Sequence, residues 1–249
     1  YPTLIADTFA GIYFTDEENA WLDRVCVHIA RIACRHERAI AWYGLFQAAL
    51  AKRPYNLFHR RNLYMRTADV PRTFGNKRSW DRLFAAHFEK FVREANAAVF
   101  SGGGACRVTC GDACAVAEAF DLVYIDPPYV NARGTGVDYA HFYHFLEGLV
   151  DYAGWAERID HGSKHRRMRP VESPWTHPRT IAGAFDGLFA RFKDSQLAVS
   201  YRNDGIPTID ELVAMLRRHG RRVRVHELRR YQYALSTQRD THEVLIVAE

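Results

Sequence analysis

An aspartate followed by two prolines and a tyrosine, Asp126-Pro127-Pro128-Tyr129, is the stretch of this chain best equipped for chemistry. Neither proline has a backbone N–H and both hold φ at about −65°, so the turn is stiff and its carbonyls point outward. The result is a shelf of hydrogen-bond acceptors. An exocyclic amine of a nucleobase carries two donor hydrogens and a lone pair delocalised into the ring, and it becomes nucleophilic when acceptors draw its nitrogen toward tetrahedral geometry. The carboxylate of Asp126 and the carbonyl of Pro127 can supply two such acceptors, Pro128 stiffens the shelf, and Tyr129 offers a flat face on which a base taken out of a duplex can stack. The same tetrapeptide also reads as an ordinary strand-to-loop turn, since Pro-Pro marks loops generally.

The residues around the tetrapeptide favour the chemical reading. Leu122-Val123-Tyr124-Ile125 is a short apolar run expected to be a buried strand of a parallel sheet, and ligands of open α/β sheets bind at the carboxyl ends of such strands. Gly111-Asp112-Ala113 is expected to end a preceding short strand. Ser200-Tyr201-Arg202-Asn203-Asp204-Gly205 ends a later one, and His242-Glu243-Val244-Leu245-Ile246-Val247 is a closing strand.

With these motifs in place, the chain resembles the S-adenosylmethionine-dependent amino-methyltransferases, in particular the Dam-like class of N(6)-adenine DNA methyltransferases. The resemblance runs from about Tyr13 to the C-terminus. It implies an α/β fold with a class I, Rossmann-like methyltransferase sheet. It implies Asp126, Pro127, Pro128 and Tyr129 as the catalytic motif, Asp112 and Ala113 at the adenine end of S-adenosylmethionine, and DNA as partner. Asp-Pro-Pro-Tyr does not by itself separate adenine from N(4)-cytosine or RNA methylation, and a DNA-binding module that does not methylate remains an alternative of a different class.

The N-terminal side departs from that pattern. Asp7-Thr8-Phe9-Ala10-Gly11 looks at first like the family's cofactor loop, Asp-x-Phe-x-Gly-x-Gly, but Tyr13 stands where the second glycine belongs. A side chain there obstructs close approach of backbone to a ligand. Thr15-Asp16-Glu17-Glu18 reads instead as a capping box opening a helix from Asp16 to about Arg35, and a second helix is expected over Glu37 to Ala51, its Trp42, Tyr43 and Phe46 read as core. The expectation is therefore a sheet incomplete at its cofactor half, with helical and loop-rich insertions, belonging to a cut-down chain that binds S-adenosylmethionine weakly or not at all.

Two stretches carry concentrated positive charge. Between Arg53 and Arg78 the chain holds Arg60, Arg61, Arg66, Lys77 and Arg78 among interleaved aromatics, with Asp69 as its one acid; between residues 159 and 179 it holds Lys164, Arg166 and Arg167 among prolines. Loop-rich basic segments of this kind suit phosphate contact, against the plainer reading of a solvated face. A helix from about Ser79 to Phe100 follows the first, with Leu83, Phe84, Phe88, Phe91, Val92 and Val99 facing inward, and a helix from Tyr139 to Trp155 precedes the second. His144 on that helix is read as a packing or hydrogen-bonding residue in preference to a base, because a methylated amine loses its proton without a strong one.

The 249 residues, 48% of them hydrophobic, suffice for a full core, and the formal charge of +5 suits a polyanionic partner. Residues 1–100 are expected to form a helical segment with the basic target-recognition region, and 101–249 the catalytic half with its basic insertion. No charge-free stretch is long enough to cross a bilayer and no basic-then-apolar leader is present, so a soluble, cytoplasmic protein is expected. Cys106, Cys110 and Cys114 fall four apart without a second Cys-x-x-Cys pair, which favours reduced, packed thiols over a metal site.

Overall fold

The computed structural model describes residues 1–53, 58, 63–66, 68, 76–131, 133–134, 138–227 and 241–249, apart from the side chains of Asn76 and Lys77. Chain packing divides it into two compact units, Tyr1–Ala105 with Tyr139–Pro170, and Cys106–Asp138 with Val171–Glu249. Residues 139–170 join the first unit, and the basic stretch 159–179 is divided between the two.

The first unit is helical. A short α1 (Leu4–Thr8) occupies the segment that resembles a cofactor loop, and the Asp23 carboxylate accepts from the Ile5 and Ala6 N–H groups at its start. The capping box then forms, with the Glu18 N–H donating to Thr15 Oγ1 (3.3 Å) and the Thr15 N–H to Glu18 Oε2 (3.1 Å), and opens α2 (Asp16–Ala30). This satisfies two amides that the helix itself leaves orphaned. α3 (Arg35–Ala51) and α5 (Phe84–Ala98) pack so closely that a Cβ at Gly44 would lie 2.5 Å from Val92 Cγ2. On α3, Trp42 and Phe46 stack half-buried, while Tyr43 is exposed.

The single helix expected from Ser79 to Phe100 is two, α4 (Asn76–Asp81) and α5, with Leu83 extended between them and 74% exposed. The cause is distant in sequence. The Lys52 ammonium, itself buried, takes the carbonyls of Trp80 (2.7 Å) and Arg82 as acceptors and so holds the break open.

The helix expected over Tyr139–Trp155 is likewise three short pieces, α6 (Tyr139–Phe142), α7 (His144–Val150) and α8 (Trp155–Arg158). A Cβ at Gly148 would sit 1.9 Å from the Trp155 ring, so the chain doubles back over that glycine. Phe9, Tyr13, Phe14, Phe58, Phe145 and Trp155 form the fully buried centre of this unit.

The second unit carries the sheet. Its strands are β1 (Leu122–Ile125), β2 (Gln196–Arg202), β3 (Val223–Glu227) and β4 (Glu243–Ala248), in the order β1-β2-β4-β3. β1 and β2 are parallel, with Ile125 opposite Val199, and β4 runs antiparallel to both β2 and β3. Its helices are α9 (Ile181–Arg191) and α10 (Ile209–Arg218), the latter opened by a second capping box between Thr208 and Glu211. They cover one face, burying Ile125, Leu197, Val199, Tyr201, Val244 and Ile246 against Ile181, Phe185, Phe189, Leu212 and Leu216.

β1 departs from expectation. It is an edge strand among the described residues, with Leu122 58% and Tyr124 61% exposed, because no strand forms over residues 106–112 to pair with it. Gly111-Asp112-Ala113 instead leads into a three-residue 3-10 turn, Ala113–Ala115, and Cys106 and Cys110 lie exposed in irregular chain. Of the strand expected over Arg221–Tyr233, the part from residue 228 on lies outside the described residues.

Candidate functional site

β1 delivers the tetrapeptide where an open sheet is accessible. Ile125 is buried under the helices, Asp126 emerges exposed, Pro127 is buried, and Pro128 and Tyr129 are half-buried. The Tyr129 hydroxyl donates to Asp126 Oδ1 at 3.0 Å, across the two prolines that fix the turn. Burial pushes the Tyr129 phenol above the usual range; Ser200 opposes the shift by hydrogen bonding, and the neighbouring Asp126 adds to it. The phenol is therefore a donor at neutral pH and the carboxylate an acceptor.

The parallel pairing of β1 with β2 sets the loop that follows β2 beside this turn. Asn131 bridges Gly205, and the Ile206 N–H donates to the Val130 carbonyl at 2.8 Å. The loop is stiffened from within and from β4: Arg202 forms a two-pronged pair with Asp204, the Asn203 N–H donates to the His242 carbonyl at 3.1 Å, and Asn203 Oδ1 accepts the His242 N–H at 3.0 Å. Tyr201 stands between the two segments, its ring edge-on to Tyr129 with centroids 5.4 Å apart. The Ser200–Gly205 motif was visible as a strand end. Its hydrogen bonds to the Pro-Pro turn were not, since they join residues some seventy positions apart.

The residues expected at the cofactor adenine lie in the same unit. Asp112 is exposed and its Oδ1 caps the 3-10 turn by accepting the Cys114 N–H at 2.9 Å; Ala113 is the first residue of that turn. Arg191 of α9 holds the following chain by donating to the carbonyls of Val116 and Glu118.

The chain is similar to Type II methyltransferase M2.HphI of Haemophilus parahaemolyticus. The two are 27% identical over 227 residues, which is 88% of this chain and 63% of that protein. Over a shorter stretch of 98 residues, 39% of this chain, it is 34% identical to modification methylase LlaI of Lactococcus lactis subsp. lactis, of which it covers 14%. The chain thus spans less than two thirds of the length of these relatives. No protein-family profile matches it, and no solved structure does.

The basic residues fall into three groups. Arg60 and Arg61, and the side chain of Lys77, lie outside the described residues. Arg78, within α4, and Lys164 are exposed, as a phosphate contact requires; Arg166 is half-buried and donates to the His161 carbonyl, while Arg167 is paired with Asp160 at 3.3 Å. Arg66 differs from its expected role. Its side chain is 4% exposed, and both terminal nitrogens bind the Glu18 carboxylate, which also holds Lys52 at 2.7 Å. It is a structural cation of the first unit. His144 is also wholly buried there, its Nε2 2.9 Å from the Tyr13 hydroxyl.

Among the described residues no cluster of His, Cys, Asp or Glu could hold a metal ion, and no helix is long and apolar enough to cross a membrane.

Proposed function

We propose that this chain carries the base-holding part of a DNA methyltransferase of a restriction-modification system, of the Dam-like class, which methylates the exocyclic N(6) amine of adenine in flipped-out DNA. The observation that carries the reading is an exposed carboxylate, Asp126, at the carboxyl end of a parallel strand beside a half-buried tyrosine and a stiffened neighbouring loop. The sheet order, a parallel pairing followed by antiparallel ones, agrees with the catalytic end of a class I methyltransferase sheet, and the likeness to two named methylases supports a DNA methyltransferase of a restriction-modification system.

In this reading Tyr129 exchanges its bond to Asp126 for a stacked base, worth about 1–3 kcal/mol. The released carboxylate and the Pro127 carbonyl accept the two amine hydrogens. Both bonds strengthen as the nitrogen becomes tetrahedral, so they act on turnover more than on affinity.

S-adenosylmethionine is the methyl donor that the reading implies. Asp112 and Ala113 suit its adenine edge. The described residues do not complete a seat for its methionine end, since Asp7–Gly11 lies on α1 and the turn after it, with Phe9 buried.

The test joins this chain to a complete S-adenosylmethionine-binding half and follows methyl transfer to unmethylated DNA of high sequence complexity, with the nucleosides analysed by mass spectrometry. N(6)-methyladenine is expected from the parent and none from Asp126→Ala, while DNA affinity stays level. N(4)-methylcytosine would move the specificity, and no methylated base at all would leave a binding module.

A further inference from the structure

Behind the Pro-Pro turn a single buried hydroxyl joins two pieces of backbone. Tyr201 is fully buried; its hydroxyl donates to the Ile206 carbonyl at 2.6 Å and accepts the Val130 N–H at 3.4 Å. Val130 directly follows Tyr129, and Ile206 directly follows Gly205, the bridge partner of Asn131. The backbone leaving β1 and the backbone leaving β2 are thereby tied at one atom. Burial pushes the Tyr201 phenol up to about 12, so the donor is present throughout the neutral range.

The ring of the same residue is as tightly engaged. It meets Tyr129 edge-on at 85° and, on another side, Phe185 edge-on at 86° and 5.4 Å. Phe185 in turn meets Trp175 edge-on at 5.3 Å. A Cβ at Gly205 would lie 2.4 Å from Tyr201 Cε1, so the loop closes directly onto this ring. An edge-on contact fixes the tilt of an aromatic plane, and Tyr129 is the plane on which the base is to stack.

We infer that Tyr201 is a positioning residue of the Asp126–Tyr129 site: it sets the tilt of the Tyr129 ring and locks the Val130 and Ile206 backbone, so that a stacked base meets the Asp126 carboxylate in one geometry. The inference rests on the methyltransferase reading for its substrate, while the clamp itself rests on the contacts alone. Tyr201→Phe keeps the ring and removes the hydroxyl, and Tyr201→Leu removes both.

The experiment uses the whole chain with fluorotyrosine incorporated, the Tyr129 resonance being identified by its loss in Tyr129→Phe. Methyl transfer to the same high-complexity DNA is followed in parallel, with the S-adenosylmethionine-binding half joined to the chain. In Tyr201→Phe the Tyr129 signal is expected to shift and broaden while Tyr124 and Tyr152 keep theirs, which reports that both units remain folded. kcat should fall about tenfold, the equivalent of one lost hydrogen bond, with KM for DNA within about twofold. In Tyr201→Leu the loss should approach about a hundredfold, as for a reacting group displaced by about an ångström.

An unmoved Tyr129 signal in Tyr201→Phe overturns the inference, and so does a moved signal with unchanged kcat. If the parent transfers no methyl group, the methyltransferase reading fails by itself. The fluorine signal then decides the clamp alone: a released Tyr129 upholds it and an unmoved one overturns it.

Discussion

Two buried tyrosines organise the two units, and their hydroxyls lead to different ends. Tyr13 in the first unit bonds His144 Nε2 and the His165 carbonyl, its ring packs against Phe9, Phe58 and Phe145, and the Arg53 guanidinium lies 4.4 Å over its face. Every group it meets is interior. Tyr201 in the second unit also bonds twice inside, but its ring leads to Tyr129, whose hydroxyl reaches an exposed carboxylate. The first arrangement closes a core, whereas the second carries rigidity outward to a solvent-facing acceptor. Polar groups buried with partners close a core in one unit and stiffen a solvent-facing turn in the other.

The sharpest way to break the closed arrangement is at Glu18. Its carboxylate, 14% exposed, is shared by Lys52 and Arg66, both nearly inaccessible, and it also completes the capping box of α2. Burial by itself would raise this carboxyl, but the bonds from Arg66 and Lys52 outweigh it and hold it below the ordinary range. Glu18→Ala strands two buried cations and should cost about 3–5 kcal/mol in urea denaturation of the full chain. Glu18→Gln keeps the cap and should lose less. If Glu18→Ala denatured like the parent, the cluster would be incidental to the first unit.

A smaller effect should appear with pH. His144 is held well below its ordinary pKa, by burial first and then by the nearby His165, His141, Arg53 and Arg167 charges, and its Nδ1 has no hydrogen-bond partner among the described residues. The unfolded chain takes up its proton near pH 6.5 while the folded chain resists it. Stability is thus untouched above about pH 7 and falls as the pH drops below about 6.5, by at most about 1.4 kcal/mol per pH unit for this one group. His144→Gln, which does not titrate, should flatten that slope between about pH 5 and 6.5, above the range where Glu18 itself titrates. Equal slopes in parent and variant would place the pH dependence elsewhere.

What the sequence disclosed and what it withheld divide along the same line. The capping box at Thr15–Glu18 was legible because it is decided within four residues. The Asp126–Tyr129 turn and the strand before it were legible because the motif is contiguous. The helix break at Leu83 was not, since it depends on an ammonium some thirty residues away. Nor was the absence of a strand over residues 106–112, because a short segment becomes a strand only when something pairs with its backbone. Arg66 and Arg78 have the same charge and neighbouring places in one basic stretch, and only the tertiary position of Glu18 turns the first into a core residue and leaves the second at the surface. The Asp126–Tyr129 turn was legible as a motif and opaque in its supports, because Tyr201 reaches Val130 across the fold.

The smallest stability effect, and the one that separates surface cations from buried ones, should come from Lys164, Arg166 and Arg167. The Arg167–Asp160 pair is about one third exposed on both sides, and such pairs contribute between roughly 0 and 1 kcal/mol. Neutralising Arg166 and Arg167 together should therefore leave the denaturation midpoint nearly in place, unlike Glu18→Ala. Its effect belongs to DNA. If both guanidiniums meet phosphates, having exchanged the His161 carbonyl and the Asp160 carboxylate for them, the slope of log affinity against log salt should fall by about one for each lost contact. Affinity should weaken alike for all sequences, because phosphate contacts carry no base information. Adding Lys164→Ala, an exposed side chain, should lower the slope by about one more. An unchanged slope in the triple variant would remove this stretch from the interface and leave the exposed Arg78 as the next cation of the first unit to test.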